Sequence, residues 1–206
     1  TGGSGVDKYG MGRSSSVSYN SKKKMTQTGD TLGITYYGYV RDKAGNTNKC
    51  NITVKKDSKA PTCNVKGSGT KGDNSWYRGN VDVRLNYSDS TSGVSNYGLS
   101  TSSSVTYNKS KSATQTSDTK GTKYNGYVQD AAGNTGKCNL NVKKDVTKPS
   151  CSISTSGTSG SNGWYRGNVT LNLNYGDATS GVAGYGMSTS SVASYNSKKT
   201  MTQSAD

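Results

Sequence analysis

The chain repeats itself with a period of 88 residues, and this period constrains the fold more than any other feature of the sequence. The run of residues 76–81, which begins with a Trp-Tyr pair, returns in identical form at residues 164–169. When residues 57–118 are aligned with residues 145–206 without gaps, 34 of the 62 aligned pairs are identical. The sequence therefore predicts a tandem array in three parts: the C-terminal part of one repeat (1–56), a complete repeat (57–144) and the N-terminal part of a third repeat (145–206).

Apolar and polar residues alternate within each repeat with the period of two that is typical of β-strands. In the clearest run, Val81, Val83 and Leu85 alternate with polar residues. A Gly-Asn turn near the end of the complete repeat separates two further alternating runs and predicts an antiparallel hairpin. About seven short strands are expected in a repeat, with weaker ones over 103–108 and 112–117, and no segment shows a helical period. The pattern predicts an all-β chain of tandem immunoglobulin-like β-sandwiches.

Several short motifs follow one another in a fixed order. They are Trp76-Tyr77, Val81-x-Val83-x-Leu85, Asp89-x-x-Ser92-Gly93-Val94, Gly126-Tyr127-Val128-x-Asp130-x-Ala132-Gly133-Asn134 and Asp145-x-x-x-Pro149. This order resembles the bacterial immunoglobulin-like repeats of secreted and cell-surface proteins, and the resemblance covers the whole chain. It implies sandwich domains in an elongated array, a module used in stalks, spacers, adhesin shafts and appendages to enzymes. The cysteine pair in each repeat departs from the commonest versions of this module, which lack cysteine.

The chain is strongly basic, with 26 Lys and Arg residues against 12 Asp and Glu residues and a formal net charge of +14. A positive net charge of this size creates an electrostatic field that favours anionic partners such as cell-wall polymers or acidic glycans. Specific nucleic-acid binding is not expected, since no recognised nucleic-acid motif accompanies the lysines. The sequence contains no His and no Glu for general acid–base chemistry, so we expect the segment not to be an enzyme. No membrane span is visible in these residues.

The four cysteines indicate an oxidising, extracellular setting, because each repeat is small, polar and rich in strands. Two pairings are open: Cys63–Cys138 within a repeat, or Cys50–Cys63 together with Cys138–Cys151 across the joints. In the expected sandwich the first and last strands run side by side in one direction, which brings Cys63 and Cys138 together. About 25 Å or more of extended chain separates Cys50 from Cys63, beyond the reach of a disulfide. We therefore favour Cys63–Cys138, with the partners of Cys50 and Cys151 outside these residues; four free thiols are the alternative.

Acidic side chains are predicted to meet at one end of the complete repeat. The expected topology brings Asp57, Asp89 and Asp130 close to Asn134 there. Such a set of oxygen donors suits calcium, which would stiffen the junction between repeats. The alternative is that each aspartate caps its own turn by accepting backbone N–H bonds, and the lysines beside Asp57 would oppose a cation. No other cofactor is expected.

Three tyrosines are predicted to lie on the surface. Alternation places Tyr124 inward and therefore Tyr127 outward, as it does Tyr37 and Tyr39 in the first repeat. Exposed tyrosines provide broad contact area for glycans or for other proteins. Cross-strand pairing on the outer sheet is the alternative explanation.

Taken together, the sequence predicts a structural, non-catalytic function. We expect an extracellular or cell-surface stalk, fibre or filamentous appendage, stapled by one disulfide in each repeat. The expected interactions are self-association or contact between neighbouring repeats. One alternative is an adhesin or binding module for glycans or anionic cell-wall polymers, and a further alternative is a decoration protein of a phage or other virion.

Overall fold

The computed structural model describes residues 3–192 and 194–204, and in this part of the chain every regular element is a β-strand. With no helix among the described residues, there is none long and apolar enough to cross a membrane. Thirteen strands form four sheets. Their bounds are β1 Val6–Gly12, β2 Thr31–Asp42, β3 Thr47–Lys56, β4 Thr62–Ser68, β5 Trp76–Tyr77, β6 Val81–Ser88, β7 Val94–Ser100, β8 Ser112–Gln115, β9 Thr119–Asp130, β10 Thr135–Lys144, β11 Ser150–Ser156, β12 Val169–Gly176 and β13 Thr200–Gln203.

The strands follow the period of the sequence. Strands β1, β2 and β3 begin 88 residues before β7, β9 and β10, and strands β11, β12 and β13 begin 88 residues after β4, β6 and β8. The complete repeat contains a three-stranded sheet of order β4-β6-β8 and a four-stranded sheet of order β5-β10-β9-β7. The other two sheets have the orders β1-β2-β3 and β11-β12-β13. In the four-stranded sheet β7 pairs antiparallel with β9, and the short β5 pairs parallel with β10.

The core of the complete repeat lies between its two sheets. Val65 of β4 and Leu85 of β6 are each 4% exposed, and Val128 of β9 is fully buried. Gly126 of β9 faces β4 and β6 of the other sheet, because a Cβ there would overlap a methyl group of Leu85 and crowd one of Val65. The alternating apolar residues of these strands therefore form one layer of packed side chains, as the period of two requires.

The described residues group into two compact units, and each unit contains one joint between repeats. The first unit consists of the residues up to Lys66, Arg84–Ala113 and Tyr124–Leu140. The second consists of Gly67–Val83, Thr114–Lys123 and the residues from Asn141 onward. The joint near Asp57 lies inside the first unit and the joint near Asp145 inside the second.

One predicted strand is wrong. Residues 103–108 form no strand, whereas Trp76–Tyr77 do, and so the complete repeat still has seven strands. The segment is held against β7 by one side chain instead of a ladder: Nδ2 of Asn108 donates to the carbonyl oxygen of Leu99 at 3.0 Å. The equivalent bonds from Asn20 and Asn196 fasten the same segment in the other repeats.

This fastened segment requires a glycine beneath it. A Cβ on Gly98 would overlap the carbonyl oxygen of Thr106, and Gly10 and Gly186 face the same obstacle in their repeats. We expect Gly98→Ala to lower the free energy of unfolding by roughly 2 kcal/mol, since the backbone must move apart to admit the methyl group. Urea denaturation followed by tryptophan fluorescence measures this loss.

Gly79→Ala is the matched control, because the nearest atom to a Cβ there lies at 3.4 Å and belongs to a side chain of Thr70. Equal urea midpoints for the two variants would contradict the packing described here.

Candidate functional site

The joints between repeats are the best-defined sites in the structure. Each consists of four residues, 56–59 in the first joint and 144–147 in the second. At the first joint, Asp30 from the preceding repeat accepts hydrogen bonds from three donors. They are Nζ of Lys56 at 2.9 Å, the backbone N–H of Ser58 at 3.1 Å and the hydroxyl of Ser58 at 2.9 Å. One carboxylate therefore fixes both the end of β3 and the chain that follows it.

The second joint repeats this arrangement. Asp118 accepts from Nζ of Lys144 at 3.0 Å, from the backbone N–H of Val146 at 3.1 Å and from the hydroxyl of Thr147 at 2.7 Å. The side chain of Lys144 is only 2% exposed, and Asp118 is the carboxylate with which it forms an ion pair. The equivalent of Ser58 is Val146, which has no hydroxyl, and the hydroxyl bond comes from the next residue instead.

The repeat that follows also binds each joint. Asp57 accepts from the backbone N–H of Lys59 at 3.0 Å and from that of Ser92 at 2.9 Å. In the second joint Asp145 accepts from Thr147 at 3.0 Å and from Ser180 at 3.0 Å in the same way. Each joint is thus held from both sides by carboxylates, one from the preceding repeat and one of its own.

Sequence reasoning identified Asp57 but missed Asp30 and Asp118. Both aspartates lie just before the long strand of the hairpin, outside the alternating runs from which the strands were predicted. The signal that could have found them is their exact spacing by 88 residues together with the equally spaced Lys56 and Lys144. An acid and a base repeated at the same interval indicate a repeated ion pair.

Hydrogen bonding lowers the pKa of these two carboxyl groups below the usual value for aspartate. The pKa of Asp30 is lowered first by its hydrogen bond with Lys56 and then by that with the Ser58 hydroxyl. The pKa of Asp118 is lowered first by Thr147 and then by Lys144. Both carboxylates are therefore ionised at neutral pH.

The structure also brings the predicted acidic residues together. Carboxylate oxygens of Asp57, Asp89 and Asp130 lie within 4.8 Å of one another, and Asp130 is 1% exposed. Asn134 joins them, since its Nδ2 donates to Asp130 at 2.8 Å and to the backbone carbonyl of Asp57 at 3.4 Å. Carboxylate and carbonyl oxygens of this kind are calcium ligands.

The same carboxylates cap turns, as the alternative hypothesis requires. Oδ1 of Asp89 accepts from the backbone N–H of Thr91 at 3.1 Å and of Gly93 at 2.7 Å. Oδ1 of Asp130 accepts from the backbone N–H of Asn134 at 2.8 Å. These backbone N–H donors stabilise the negative charge of the cluster without a cation. Calcium at this cluster therefore stays a hypothesis.

The disulfide of the complete repeat joins its two sheets. Cys63 of β4 is bonded to Cys138 of β10, with Cα atoms 5.8 Å apart, which is the pairing that the sequence favours. The two strands lie in different sheets instead of side by side in one, so the bridge crosses the core. Cys50 and Cys151 are free and exposed. Closing a loop of 75 residues contributes about 4 kcal/mol in the chain-entropy model.

The prediction of exposed tyrosines is wrong for two of its three residues. Tyr127 and Tyr39 are each 2% exposed, and Tyr37 is half-buried. The hydroxyl of Tyr127 donates to the carbonyl of Ser103 at 2.7 Å, and that of Tyr39 to the carbonyl of Ser14 at 2.6 Å. The serine-rich segment after β7 or β1 covers the outer face of the hairpin, which a period of two cannot reveal.

Lysine ammonium groups lie over aromatic rings in every repeat. Lys111 lies 4.8 Å from the ring centroid of Tyr87 and 5.0 Å from that of Tyr97, and these two half-buried rings are 5.0 Å apart. Lys199 covers the equivalent pair in the third repeat at 5.3 Å from each ring. Such contacts contribute about 0.5–1 kcal/mol at exposed sites, so part of the lysine excess stabilises the repeats themselves.

Comparisons of the chain with protein-family models, with curated proteins and with solved structures found no match. The resemblance to bacterial immunoglobulin-like repeats therefore rests on the motifs of the sequence.

We expect the joints to weaken in acid. A carboxyl group whose pKa is lowered by folding stabilises the folded state fully above its unfolded-state pKa of about 3.9, and this contribution is lost as the pH falls through the lower folded-state value. Asp118→Asn should reduce the urea midpoint at pH 7, because Lys144 loses its carboxylate, and should flatten the decline of the midpoint in acid. Urea denaturation at several pH values between 7 and 2 measures both effects.

Asp73→Asn is the matched control, since Asp73 is exposed and its described hydrogen bond uses only the backbone oxygen. A pH profile that is the same in the native protein and in Asp118→Asn would contradict this assignment.

The two hypotheses for the acidic cluster predict different responses to calcium. Coordination predicts that Ca²⁺ at about 1 mM, where extracellular calcium modules bind, raises the Tm of chelator-treated protein, and that Asp89→Asn removes the rise. Turn capping predicts the same Tm with and without Ca²⁺. Differential scanning calorimetry decides between them, with Mg²⁺ as the control for ionic strength.

Proposed function

We propose that this chain belongs to a structural, non-catalytic, extracellular array of immunoglobulin-like sandwiches that serves as a stalk, fibre or filamentous surface appendage. The strand arrangement of the complete repeat supports the domain type. Seven strands form two sheets, and a disulfide joins the sheets across the core, as in immunoglobulin domains.

The observation that carries the proposal is that both joints are held by the same bonds. Asp30 and Asp118 fix each joint from the preceding repeat, and Ser92 and Ser180 bind the joint aspartates from the following one. A flexible linker leaves its backbone free for water, whereas these four-residue joints are bonded on both sides. Repeated fixed joints suit a protein whose task is to hold a constant direction.

An extracellular location is supported by the cysteine chemistry. A disulfide such as Cys63–Cys138 forms and persists in oxidising compartments, and it compensates for the thin core of a small polar domain. The turn and joint carboxylates serve as hydrogen-bond acceptors for backbone and lysine groups, which is a structural use of acidic residues. We assign no reaction to this segment.

We expect loss of the joint carboxylates to make the array flexible. Negative-stain electron microscopy of native, unreduced protein should show a narrow distribution of angles between successive domains, each advancing the axis by roughly 40 Å. In the double variant Asp30→Ala/Asp118→Ala the distribution should broaden, because the joint segments lose the bonds from the preceding repeat. The disulfide and both sandwich cores are untouched by these changes.

Asp73→Ala controls for the loss of an aspartate elsewhere on the surface. A broad angle distribution in the native protein would overturn the proposal of a rigid array and favour a flexible tether.

An adhesin that binds glycans or anionic polymers is the second candidate function. The half-buried ring pairs Tyr87–Tyr97 and Tyr175–Tyr185 favour it, since they recur in successive repeats with a lysine beside each pair. Aromatic rings and ammonium groups together suit acidic sugars. In each pair, however, the lysine of the same repeat already lies over the rings and occupies the face that a sugar would contact. The structural proposal is therefore the stronger one.

A further inference from the structure

The paired tyrosine rings lie at a place where the two sheets of a repeat meet. Tyr87 belongs to β6 of one sheet and Tyr97 to β7 of the other. Their ring centroids are 5.0 Å apart, with 32° between the ring planes. In the third repeat the rings of Tyr175 and Tyr185 are 4.8 Å apart, with 22° between their planes. Both distances are near the short end of the roughly 4.5–7 Å range of aromatic pairs, so in each repeat two phenols are held in contact.

A lysine holds each pair in place and leaves it open to small molecules. A hydrogen bond with the Tyr87 hydroxyl raises the pKa of Lys111, and one with the Tyr175 hydroxyl raises the pKa of Lys199 in the same way. The same ammonium groups lie over both rings of their pair. All four rings are half-buried, so part of each ring reaches the solvent. An oxidant can take an electron from a phenol without covering the ring face, so the lysine does not block oxidation.

Each pair also flanks the turn that binds a joint. The turn of residues 89–93 lies between the first two tyrosines, and its Ser92 donates a backbone N–H bond to Asp57 at 2.9 Å. The turn between the second two tyrosines supplies the equivalent bond from Ser180 to Asp145 at 3.0 Å. A covalent bond between the two rings would therefore close the base of the turn that holds the joint from the following repeat.

We propose that Tyr87–Tyr97 and Tyr175–Tyr185 are sites of oxidative coupling, at which a haem peroxidase and hydrogen peroxide join the two phenols into dityrosine. The peroxidase removes one electron from each phenol, and each phenol gives its proton to water. The two radicals form a carbon–carbon bond between ring carbons next to the hydroxyls. Each of these carbons then passes its hydrogen to the phenol oxygen through water, and the rings regain aromaticity. The pair loses two hydrogen atoms, and one hydrogen peroxide becomes two molecules of water.

This inference rests on the proposed function, because it gives a structural array in an oxidising setting a second covalent bond in each repeat. The first bond, Cys63–Cys138, also joins the two sheets, but thiols can break it. A carbon–carbon bond withstands reduction. Coupled repeats would therefore keep their sheets joined, and the turn at each joint closed, in a reducing medium.

A third tyrosine pair in the chain provides an internal comparison. Tyr37 and Tyr39 lie on one strand with ring centroids 6.5 Å apart, and Lys49 lies 4.6 Å and 5.7 Å from the two rings. Tyr39 is 2% exposed, and its hydroxyl donates to the carbonyl of Ser14. This pair has the lysine but lacks the short distance and the access to solvent. We expect it not to couple.

The test treats the 206-residue chain with a haem peroxidase and hydrogen peroxide and analyses the monomer band from a denaturing gel. Cys50 and Cys151 are alkylated beforehand, because exposed free thiols also react with peroxide. The monomer should acquire the fluorescence of dityrosine. The yield for each chain should stay the same when the protein is diluted about tenfold, since the two rings of a pair are already held together.

Peptide mapping locates the bond. Trypsin cuts after Arg84 and Lys109 and releases both tyrosines of the first pair in one peptide, 85–109. This peptide should be lighter by two hydrogen atoms, and breakage of its backbone between Tyr87 and Tyr97 should give no separate fragments. The peptide that contains the second pair should show the same change.

Two variants assign the partners. Tyr97→Phe keeps the ring but removes the phenol, and it should lower the yield of the coupled peptide 85–109 at least about tenfold. Tyr107→Phe is the matched control, because it removes the third tyrosine of the same peptide and should leave the yield unchanged. Circular dichroism checks that both variants remain folded.

Three results would overturn the proposal: bonds between chains only, an unchanged yield in Tyr97→Phe, or equal coupling of Tyr37 with Tyr39. Electron microscopy of the untreated chain keeps these results separate from the proposed function. Fixed angles between domains without coupling would leave the rigid array standing and refute the coupling sites. Coupling in a chain with broadly distributed angles would do the reverse.

Discussion

Hydrogen bonds to aspartate carboxylates hold the parts of this protein that its thin cores do not reach. The sequence has no Glu, so aspartate is the only acidic side chain, and its short stem places the carboxylate close to the backbone. Asp89 and Asp130 close turns, while Asp57 and Asp118 fasten the joints. In each case one carboxylate accepts two or more donors, which satisfies backbone N–H groups that no strand pairs. The order of the turns and joints therefore depends on ionised aspartates as well as on apolar packing.

Tyrosines covered by loops form a second buried layer, on the outer face of the hairpin. Tyr127 and Asn125 are buried on the face of β9 that points away from the opposite sheet, and both donate to the carbonyl of Ser102. A phenol can fill this layer because its hydroxyl reaches carbonyl acceptors, whereas Phe at position 127 would remove the hydroxyl that donates to the carbonyl of Ser103 at 2.7 Å. This explains how a chain with no Phe and only 28% hydrophobic residues can bury long strands on both faces.

The sequence predicted those features that depend on local alternation or on the repeat. The β-strands, the hairpin turn and the meeting of Asp57, Asp89 and Asp130 follow from the period of two and from the topology that it implies. The outward position of Tyr127 failed because alternation assigns sides to a strand but cannot say which segment covers the outer side. The segment 103–108 was predicted as a strand, but it forms no ladder. A hydrogen bond from the side chain of Asn108 holds it against β7 instead, and local alternation cannot predict such a contact. Asp118 was missed because its partner Lys144 lies 26 residues away, and only the fold brings them together.

The position of the disulfide has a mechanical consequence. When a stapled repeat is pulled along the chain, the force passes from Cys63 directly to Cys138, and the 75 residues of the bridged loop carry no load. Twelve residues lie between Cys138 and the next cysteine of the register, Cys151. In an array with this bridge in every repeat, only those residues can straighten, to about 45 Å, whereas a repeat without the bridge can extend to roughly 300 Å. In such an array, oxidation would set the extensibility, and reduction would let each repeat lengthen under tension.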